Sequence, residues 1–314
     1  MKRNKTIVLA ALALLGLANL LVPVRVEHLH IDLCPSILTH VGPVPVSNTL
    51  LASLLASVLL IAFALLARRR LVDLPRARSL QNLVEAGFEL LLDFMERFAG
   101  ENAIRFFPVV ATFFLFILFS NWLPMVPGVG SIGIATETSQ GATFVPLLRG
   151  ATSDLNTTCA LAICSVASGQ FFGATSLGLS THILRYLSIG KWLAFFRALF
   201  ACQKPRFSLL LSGTLDVFIG ILEIFEELTK ILSFSFRLFG NVFGGEVLLM
   251  VIAFLLPFLA SIPFMALEMF TGFIQAFIFA VLSTAFFARA VAAHNDNQSI
   301  ESPATAADGS SAHA

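Results

Sequence analysis

One apolar stretch, residues 209–256, is longer than a lipid bilayer is thick and carries an arginine in its interior. As a helix it would measure roughly 70 Å at about 1.5 Å per residue, whereas the hydrocarbon core is about 30 Å thick. Such a helix must tilt strongly, break, or lie partly along the membrane. Arg237 lies 20 residues before the next helix breaker, Pro257, which disfavours an arginine that snorkels to the headgroups from a helix end. A charge at that depth normally faces protein, water or a partner.

The composition indicates a membrane protein. Of 314 residues, 57% are hydrophobic and only 12% are charged, against roughly 25% charged residues in a soluble domain. Five apolar segments are long enough to cross a bilayer. They predict an all-α, polytopic membrane protein whose last two segments form a long, tilted helical hairpin. The segments are residues 50–67, 106–123, 155–179, 209–256 and 258–288.

The remaining segments divide the chain into four parts. Residues 1–24 join a basic start to an apolar run and predict a signal-like or anchor segment. Residues 25–49 are expected to form an external loop, and residues 50–293 the membrane domain. Within that domain, residues 76–104 mix apolar and charged positions, which predicts a helix lying on the inner membrane surface. Residues 294–314 are small and polar and predict a disordered tail.

The positive charges are distributed asymmetrically. Of the 20 Lys and Arg residues, 16 fall on one predicted side, whereas only Arg25 and Arg149 fall on the other and two lie in the long segment. By the positive-inside rule, the side with 16 is cytoplasmic. The C-terminus and the basic loop 182–208 are then inside, and the loop 129–153 is outside.

Several classes of function are disfavoured by what the sequence lacks. A net charge of +1 argues against a nucleic-acid partner. The four cysteines show no metal-binding spacing, so we predict no structural disulfide. We also predict no metal site and no cofactor, and the chain has no Walker A pattern for nucleotide phosphates. Three histidines before the first span lack an ordered ligand spacing: His28, His30 and His40.

Polar side chains recur along the long segment at spacings of 4, 3, 7 and 4, which keeps them on one stripe of a helix. They are Glu223, Glu227, Lys230, Arg237 and Asn241. Salt bridges within the stripe, such as Glu227 with Lys230, explain its first part, near the cytoplasm. They do not explain Arg237, which has no carboxylate three or four residues away in either direction. We therefore expect its partner to come from outside this chain.

Folding the last two segments antiparallel about Pro257 predicts two polar layers. Glu246 and Glu268 each lie 11 residues from Pro257 and should fall at one depth. Two carboxyl groups at one depth suit proton relay, because the charge of one affects the protonation of the other. The alternative is one shared proton that ties the helices together. The second layer contains Arg237, Gln275 and Asn241.

Two polar residues open the third apolar segment. Asp154 and Asn156 stand just before and within its first turn. Asp and Asn are preferred helix N-caps. A carboxylate and an amide at the predicted outer surface also suit ion entry, and the two roles are compatible.

Four motifs resemble one known family. The run S-F-S-F-R-L-F-G-N-V-F-G-G-E at residues 233–246 closely resembles the signature of subunit a of F-type ATP synthases. Weaker resemblances to the same family occur in its order along the chain. They are L-Q-N-L-V-E at residues 80–85, T-S-D-L-N-T-T at 152–158 and Q-A-F-I-F at 275–279. Together the motifs span roughly residues 50–290.

The resemblance implies a role for the chain and for individual residues. Members of the family provide two half-channels to a rotating c-ring and couple ion flow to ATP synthesis. Arg237 matches the arginine that meets a carboxylate of each c-subunit, and Glu246 matches the glutamate of the same helix. Glu268 stands where relatives often have histidine. Two departures are the tandem Gly244–Gly245 and the missing proline near Ile231.

The resemblance also implies partners and a location. The partners would be c-ring subunits, the peripheral-stalk subunit b and the rest of the complex, in a bacterial inner membrane. Protons suit a path of Glu, Asp and Gln, and sodium is the alternative ion. A secondary transporter that binds an anionic substrate at Arg237 is the alternative class. It predicts inverted repeats, and the sequence shows none.

Overall fold

The computed structural model describes residues 35–70, 80–126, 128–129, 132–138, 141–178, 207–255 and 261–292. Within these ranges, five helical stretches are long and apolar enough to cross a membrane, which confirms the all-α, polytopic prediction. The helices are α1 (Asn48–Arg70), α2 (Leu80–Ala99), α3 (Ala103–Trp122), α4 (Leu155–Leu177), α5 (Phe207–Leu255) and α6 (Ser261–Ala292).

Several predicted segments lie outside the described residues. They are the signal-like segment 1–24, the first part of the loop 25–49, most of the basic loop 182–208, Pro257 and the tail 294–314.

Two β-hairpins occupy segments that the sequence predicted to be external loops. β1 (Ile37–Val41) pairs antiparallel with β2 (Val44–Ser47), and β3 (Gly133–Thr138) pairs antiparallel with β4 (Gly141–Pro146). These segments are rich in Ile, Val and Thr, whose branched side chains favour extended backbone. The Gly, Ser and Thr content of the second segment is also typical of a loop.

The long apolar segment forms one unbroken helix. Of the three ways in which so long a segment could fit a membrane, a break is therefore not observed. α5 contains 49 residues and spans Phe207–Leu255. Pro263 lies in the first turn of α6, where a missing backbone N–H removes no intrahelical hydrogen bond.

The amphipathic helix predicted for residues 76–104 is observed as α2, over Leu80–Ala99. Gly100 follows it with φ of +54°, a left-handed conformation that favours glycine at a helix end. A short 3-10 turn, Gly100–Asn102, then leads into α3. On α2, Leu91 and Met95 are buried, whereas Leu83 and Leu90 are exposed.

The chain forms two compact units. The first unit comprises the residues up to Glu89, residues 111–160 and residues 234–280. Its core joins α3 to α6 through the rings of Phe113 and Phe279, whose centroids are 5.7 Å apart. All seven candidate residues for the coupling site and the ion path belong to this unit: Asp154, Asn156, Arg237, Asn241, Glu246, Glu268 and Gln275.

The second unit comprises residues 90–110, residues 161–233 and the residues from Val281 onward. Its core contains an aromatic cluster of Phe106, Phe172 and Phe287, with centroid distances of 4.9 to 5.6 Å. A buried hydrogen bond of 2.8 Å joins the hydroxyls of Ser165 and Ser283.

Candidate functional site

The antiparallel register of α5 and α6 positions the site. Phe234 packs on Phe279 with ring centroids 4.8 Å apart. The Glu268 carboxylate lies against Gly245, in the space where a Cβ would stand. Phe234 and Gly245 are 11 residues apart on α5, as are Glu268 and Phe279 on α6. Both contacts therefore belong to one register, close to the fold about Pro257 that the sequence predicted.

This register places Arg237 beside Ala276 and one position from Gln275. Gln275 is buried, with 6% of its surface exposed, and Ala276 is fully buried. The side chains of Arg237 and Asn241 are exposed. The layer predicted from the sequence thus has a buried amide on α6 and an exposed guanidinium at the matching level of α5.

The two faces of α5 differ in exposure. Four positions at helical spacing are buried: Phe234, Leu238, Val242 and Gly245. Arg237, Asn241 and Gly244 form an exposed stripe on another face, and a Cβ added at Gly244 would meet no atom within 4 Å. A charged residue on the exposed face of a membrane helix, here Arg237, must be covered by water or by another protein.

Glu246 and Glu268 are brought together by a close helix approach. The Glu268 carboxylate fills the space beside Gly245, so a side chain at position 245 would displace it. Glu246 directly follows Gly245 in the chain, and both glutamates are half-buried. Only a residue without a Cβ permits this approach, which explains why position 245 is a glycine.

Arg149 also belongs to this cluster, although no sequence motif predicted it there. Its Nε donates a 3.1 Å hydrogen bond to Glu246 Oε2 in an ion pair whose side chains are 15% and 18% exposed. Its guanidinium carbon lies 5.9 Å from the ring centroid of Phe243. The one available signal was that Arg149 is a rare cation on the predicted outer side.

Gly150 lets the Glu246 carboxylate approach the backbone of the loop. A Cβ at Gly150 would stand 2.9 Å from Glu246 Oε1. One carboxylate oxygen therefore contacts Arg149 and the other lies against the next residue of the same loop.

Asp154 is the N-cap of α4 and also ties that helix to α1. Its Oδ1 accepts a 3.0 Å hydrogen bond from the backbone N–H of Asn156, and its Oδ2 accepts a 3.1 Å bond from Thr49 Oγ1. Asp154 is only 7% exposed, whereas the Asn156 side chain is exposed. The capping role is thus present in the structure, and ion entry at these residues stays a prediction.

A buried network fixes the loop that carries Arg149. Thr152 Oγ1 donates to Asn121 Oδ1 at 2.6 Å, and Asn121 Nδ2 donates to the carbonyl of Gly272 on α6 at 3.1 Å. The neighbouring Trp122 Nε1 donates to the carbonyl of Met269 at 3.0 Å. Leaving a buried polar group unpaired costs about 1–3 kcal/mol, so these bonds hold α3, α6 and the loop in one arrangement.

The first part of the polar stripe lies in the second unit and is salt-bridged, as expected for Glu227 and Lys230. Lys230 Nζ lies 2.8 Å from Glu227 Oε1 and 3.2 Å from Glu226 Oε1. Arg289 on α6 lies 3.2 Å from the same Glu226 oxygen. Glu223 is half-buried one turn before Glu227. These contacts hold two helices of this unit together.

Comparison with known proteins connects this arrangement to a family. The family model described as ATP synthase A chain matches residues 50–288. The chain is 31% identical to ATP synthase subunit a of Moorella thermoacetica over 257 residues, covering 81% of this chain and 95% of that relative. It is 30% identical to ATP synthase subunit a of Gloeobacter violaceus over 290 residues, covering 91% and 98%. These matches confirm the resemblance drawn from the four sequence motifs, and the chain belongs to the ATP synthase A chain family.

Proposed function

We propose that this chain is the proton-translocating stator subunit in the membrane sector of an F-type ATP synthase. In this role it provides two half-channels to a rotating c-ring and couples ion flow to ATP synthesis. The observation that carries the proposal is the exposed stripe of α5 with Arg237 and Asn241, which lies close in level to the buried Gln275 of α6. The names of the relatives support the assignment to subunit a.

Arg237 would act on the carboxylate of each passing rotor subunit. A carboxylic acid in lipid is neutral, because desolvation disfavours its charged form. A guanidinium beside it stabilises the carboxylate, and the proton leaves. The permanent charge also repels protons and so prevents direct passage between the two half-channels. Gln275, one position from the level of Arg237, would orient the guanidinium.

The outer half-channel would run past Glu246 and Glu268, with entry near Asp154 and Asn156. A row of carboxyl groups can pass a proton from one to the next. An ionisable residue inside a membrane is usually there for a function. Sodium is the alternative ion, and its choice rests largely on the rotor carboxylate. Adding sodium at constant pH during synthesis distinguishes the two, because a proton-driven enzyme does not respond.

The partners of this proposal are the c-ring, subunit b of the peripheral stalk, and the rest of the complex. The location is a bacterial inner membrane, with the C-terminus in the cytoplasm. This orientation follows from the distribution of Lys and Arg along the sequence.

Substitution of Arg237 tests the proposal directly. Arg237→Lys keeps a positive charge but loses the planar fork and gains a group that can release a proton. We expect it to abolish ATP-driven pumping in complexes that assemble normally. Arg237→Ala should also abolish pumping and should let protons leak passively. Gln275→Leu should impair coupling less severely.

Proton flux and ATP synthesis in reconstituted vesicles are the measurements, and co-purification of the rotor checks assembly. Arg97→Lys, on the exposed surface of α2, is the matched control and should behave as wild type. Substantial ATP synthesis by an assembled Arg237→Ala complex would overturn the proposal.

A further inference from the structure

We propose that Arg149 is a positioning residue that holds Glu246 as a fixed anion, so that the proton in transit resides on Glu268. The inference rests on the proposed function, because it requires the two carboxyl groups to lie in the proton path. It adds a third charged group, supplied by a loop outside the membrane spans, to the two carboxyl groups of the hairpin.

The contact between Arg149 and Glu246 is specific and partly desolvated. The Nε–Oε2 distance is 3.1 Å and both side chains are less than one-fifth exposed. Hydrogen bonds between charged groups are roughly twice as strong as neutral ones, and low local polarity strengthens them further. Phe243 covers the guanidinium on one side, at 5.9 Å from its ring centroid, so the pair is screened from water there.

Charge counting shows what Arg149 adds. Two neighbouring carboxyl groups without a cation resist the ionisation of both, and they hold a proton between them. With Arg149 present, a cluster of one guanidinium, one carboxylate and one carboxylic acid is electrically neutral. Loss or gain of one proton changes this charge by a single unit. The cluster is therefore suited to exchanging one proton at a time.

The geometry decides which carboxyl group keeps the negative charge. Glu246 contacts Arg149 through one oxygen and the Gly150 backbone through the other. Glu268 lies instead against Gly245, with Thr271 Oγ1 3.4 Å from its Oε2. In the described part of the chain, the charged groups near Glu246 are thus Arg149 from the loop and Glu268 from α6. The guanidinium contact marks Glu246 as the anion and leaves Glu268 to carry the proton.

The position of Arg149 is set by a rigid loop. Thr152, three residues later, is bound to Asn121, and Asp154 caps α4. A neutral side chain at position 149 would therefore leave Glu246 without a compensating cation. This makes Arg149→Lys and Arg149→Gln an informative pair, since only the first keeps the charge.

The test measures ATP synthesis and proton uptake against external pH in vesicles that contain the whole complex. Arg149→Gln should slow uptake by roughly ten-fold or more, the factor for one lost charge-assisted hydrogen bond. Its uptake midpoint should move to higher external pH, because loss of a positive charge favours the protonated carboxyl groups. Arg149→Lys should restore most of the rate and the wild-type midpoint. Arg97→Gln is the control.

A double variant separates positioning from a purely structural role. If Arg149 acts through Glu246, Arg149→Gln combined with Glu246→Gln should be no slower than Glu246→Gln alone. The inference would be overturned if the double variant were slower than Glu246→Gln by the full factor of Arg149→Gln. It would also be overturned if Arg149→Gln kept the wild-type rate and pH midpoint. Arg237→Ala is measured in parallel. If Arg237→Ala loses ATP synthesis while Arg149→Gln is unaffected, only this inference is wrong. If Arg237→Ala still synthesises ATP, the proposed function is wrong.

Discussion

At the scale of single residues, two carboxylates of the first unit are held by neighbours from other elements. Glu246 on α5 is bound by Arg149 from a loop 97 residues earlier, and Asp154 is bound by Thr49 from 105 residues earlier. Each contact satisfies a group that would otherwise be costly to bury. The apolar helices thus tolerate carboxylates because specific donors are placed beside them.

The two carboxyl groups of the hairpin give a prediction at this scale. Glu246→Gln and Glu268→Gln should each slow proton uptake, because the first removes the anion paired with Arg149 and the second removes the carboxyl group that accepts and releases the proton. The double variant should be slower than either single variant. Dye-quenching assays in vesicles measure the uptake rate, and Glu101→Gln, at an exposed position, is the control. A double variant that pumps at the wild-type rate would show that neither group carries the proton.

At the scale of elements, the α5–α6 hairpin depends on one close approach. Gly245 faces the Glu268 carboxylate, whereas its neighbour Gly244 faces open space. The tandem glycines are therefore not equivalent. One permits contact between the helices and the other leaves the exposed face of α5 without a side chain.

Alanine at each glycine tests this difference. Both changes gain about 0.5–1 kcal/mol of helix propensity, so Gly244→Ala is a matched control for Gly245→Ala. The second change must also displace Glu268, and overpacking costs about 1–3 kcal/mol. We expect a lower Tm in detergent for Gly245→Ala than for Gly244→Ala. Equal or reversed melting temperatures would contradict the observed register.

At the scale of the whole molecule, the orientation in the membrane rests on charge. Because 16 of the 20 Lys and Arg residues fall on one predicted side, that side is expected in the cytoplasm. The loop 129–153 is then outside and the loop 182–208 inside. Most of the second loop and position 140 of the first lie outside the described residues, so the orientation stays a prediction from the sequence.

Cysteine labelling of sealed vesicles tests the orientation. In a variant that lacks the four native cysteines, Gln140→Cys should react with an impermeant maleimide from the outer side only. Ser188→Cys, in the basic loop, should react from the cytoplasmic side only. Reaction of Gln140→Cys from the cytoplasmic side alone would reverse the topology and with it the assignment of the outer half-channel.

Much of the fold could be predicted from the sequence because transfer into a bilayer is nearly a sum over residues. The apolar spans follow from segment length, the polar stripe of α5 from helical spacing, and the depth of Glu246 beside Glu268 from equal distances to Pro257. All three are local or nearly local properties. The β-hairpins were missed because short runs of Thr, Ile and Gly are as compatible with a loop as with a strand.

The tertiary structure alone decided which groups meet. From the sequence, Arg237, Glu246, Glu268 and Gln275 could be placed in one hairpin, because antiparallel packing makes their levels a matter of counting. The sequence could not determine that Arg149 binds Glu246, since that contact spans 97 residues. Nor could it determine that Gly245 rather than Gly244 receives Glu268, because one residue along a helix turns the side chain by about 100°. Which glycine meets the neighbouring helix therefore depends on how the two helices are rotated in the packed unit.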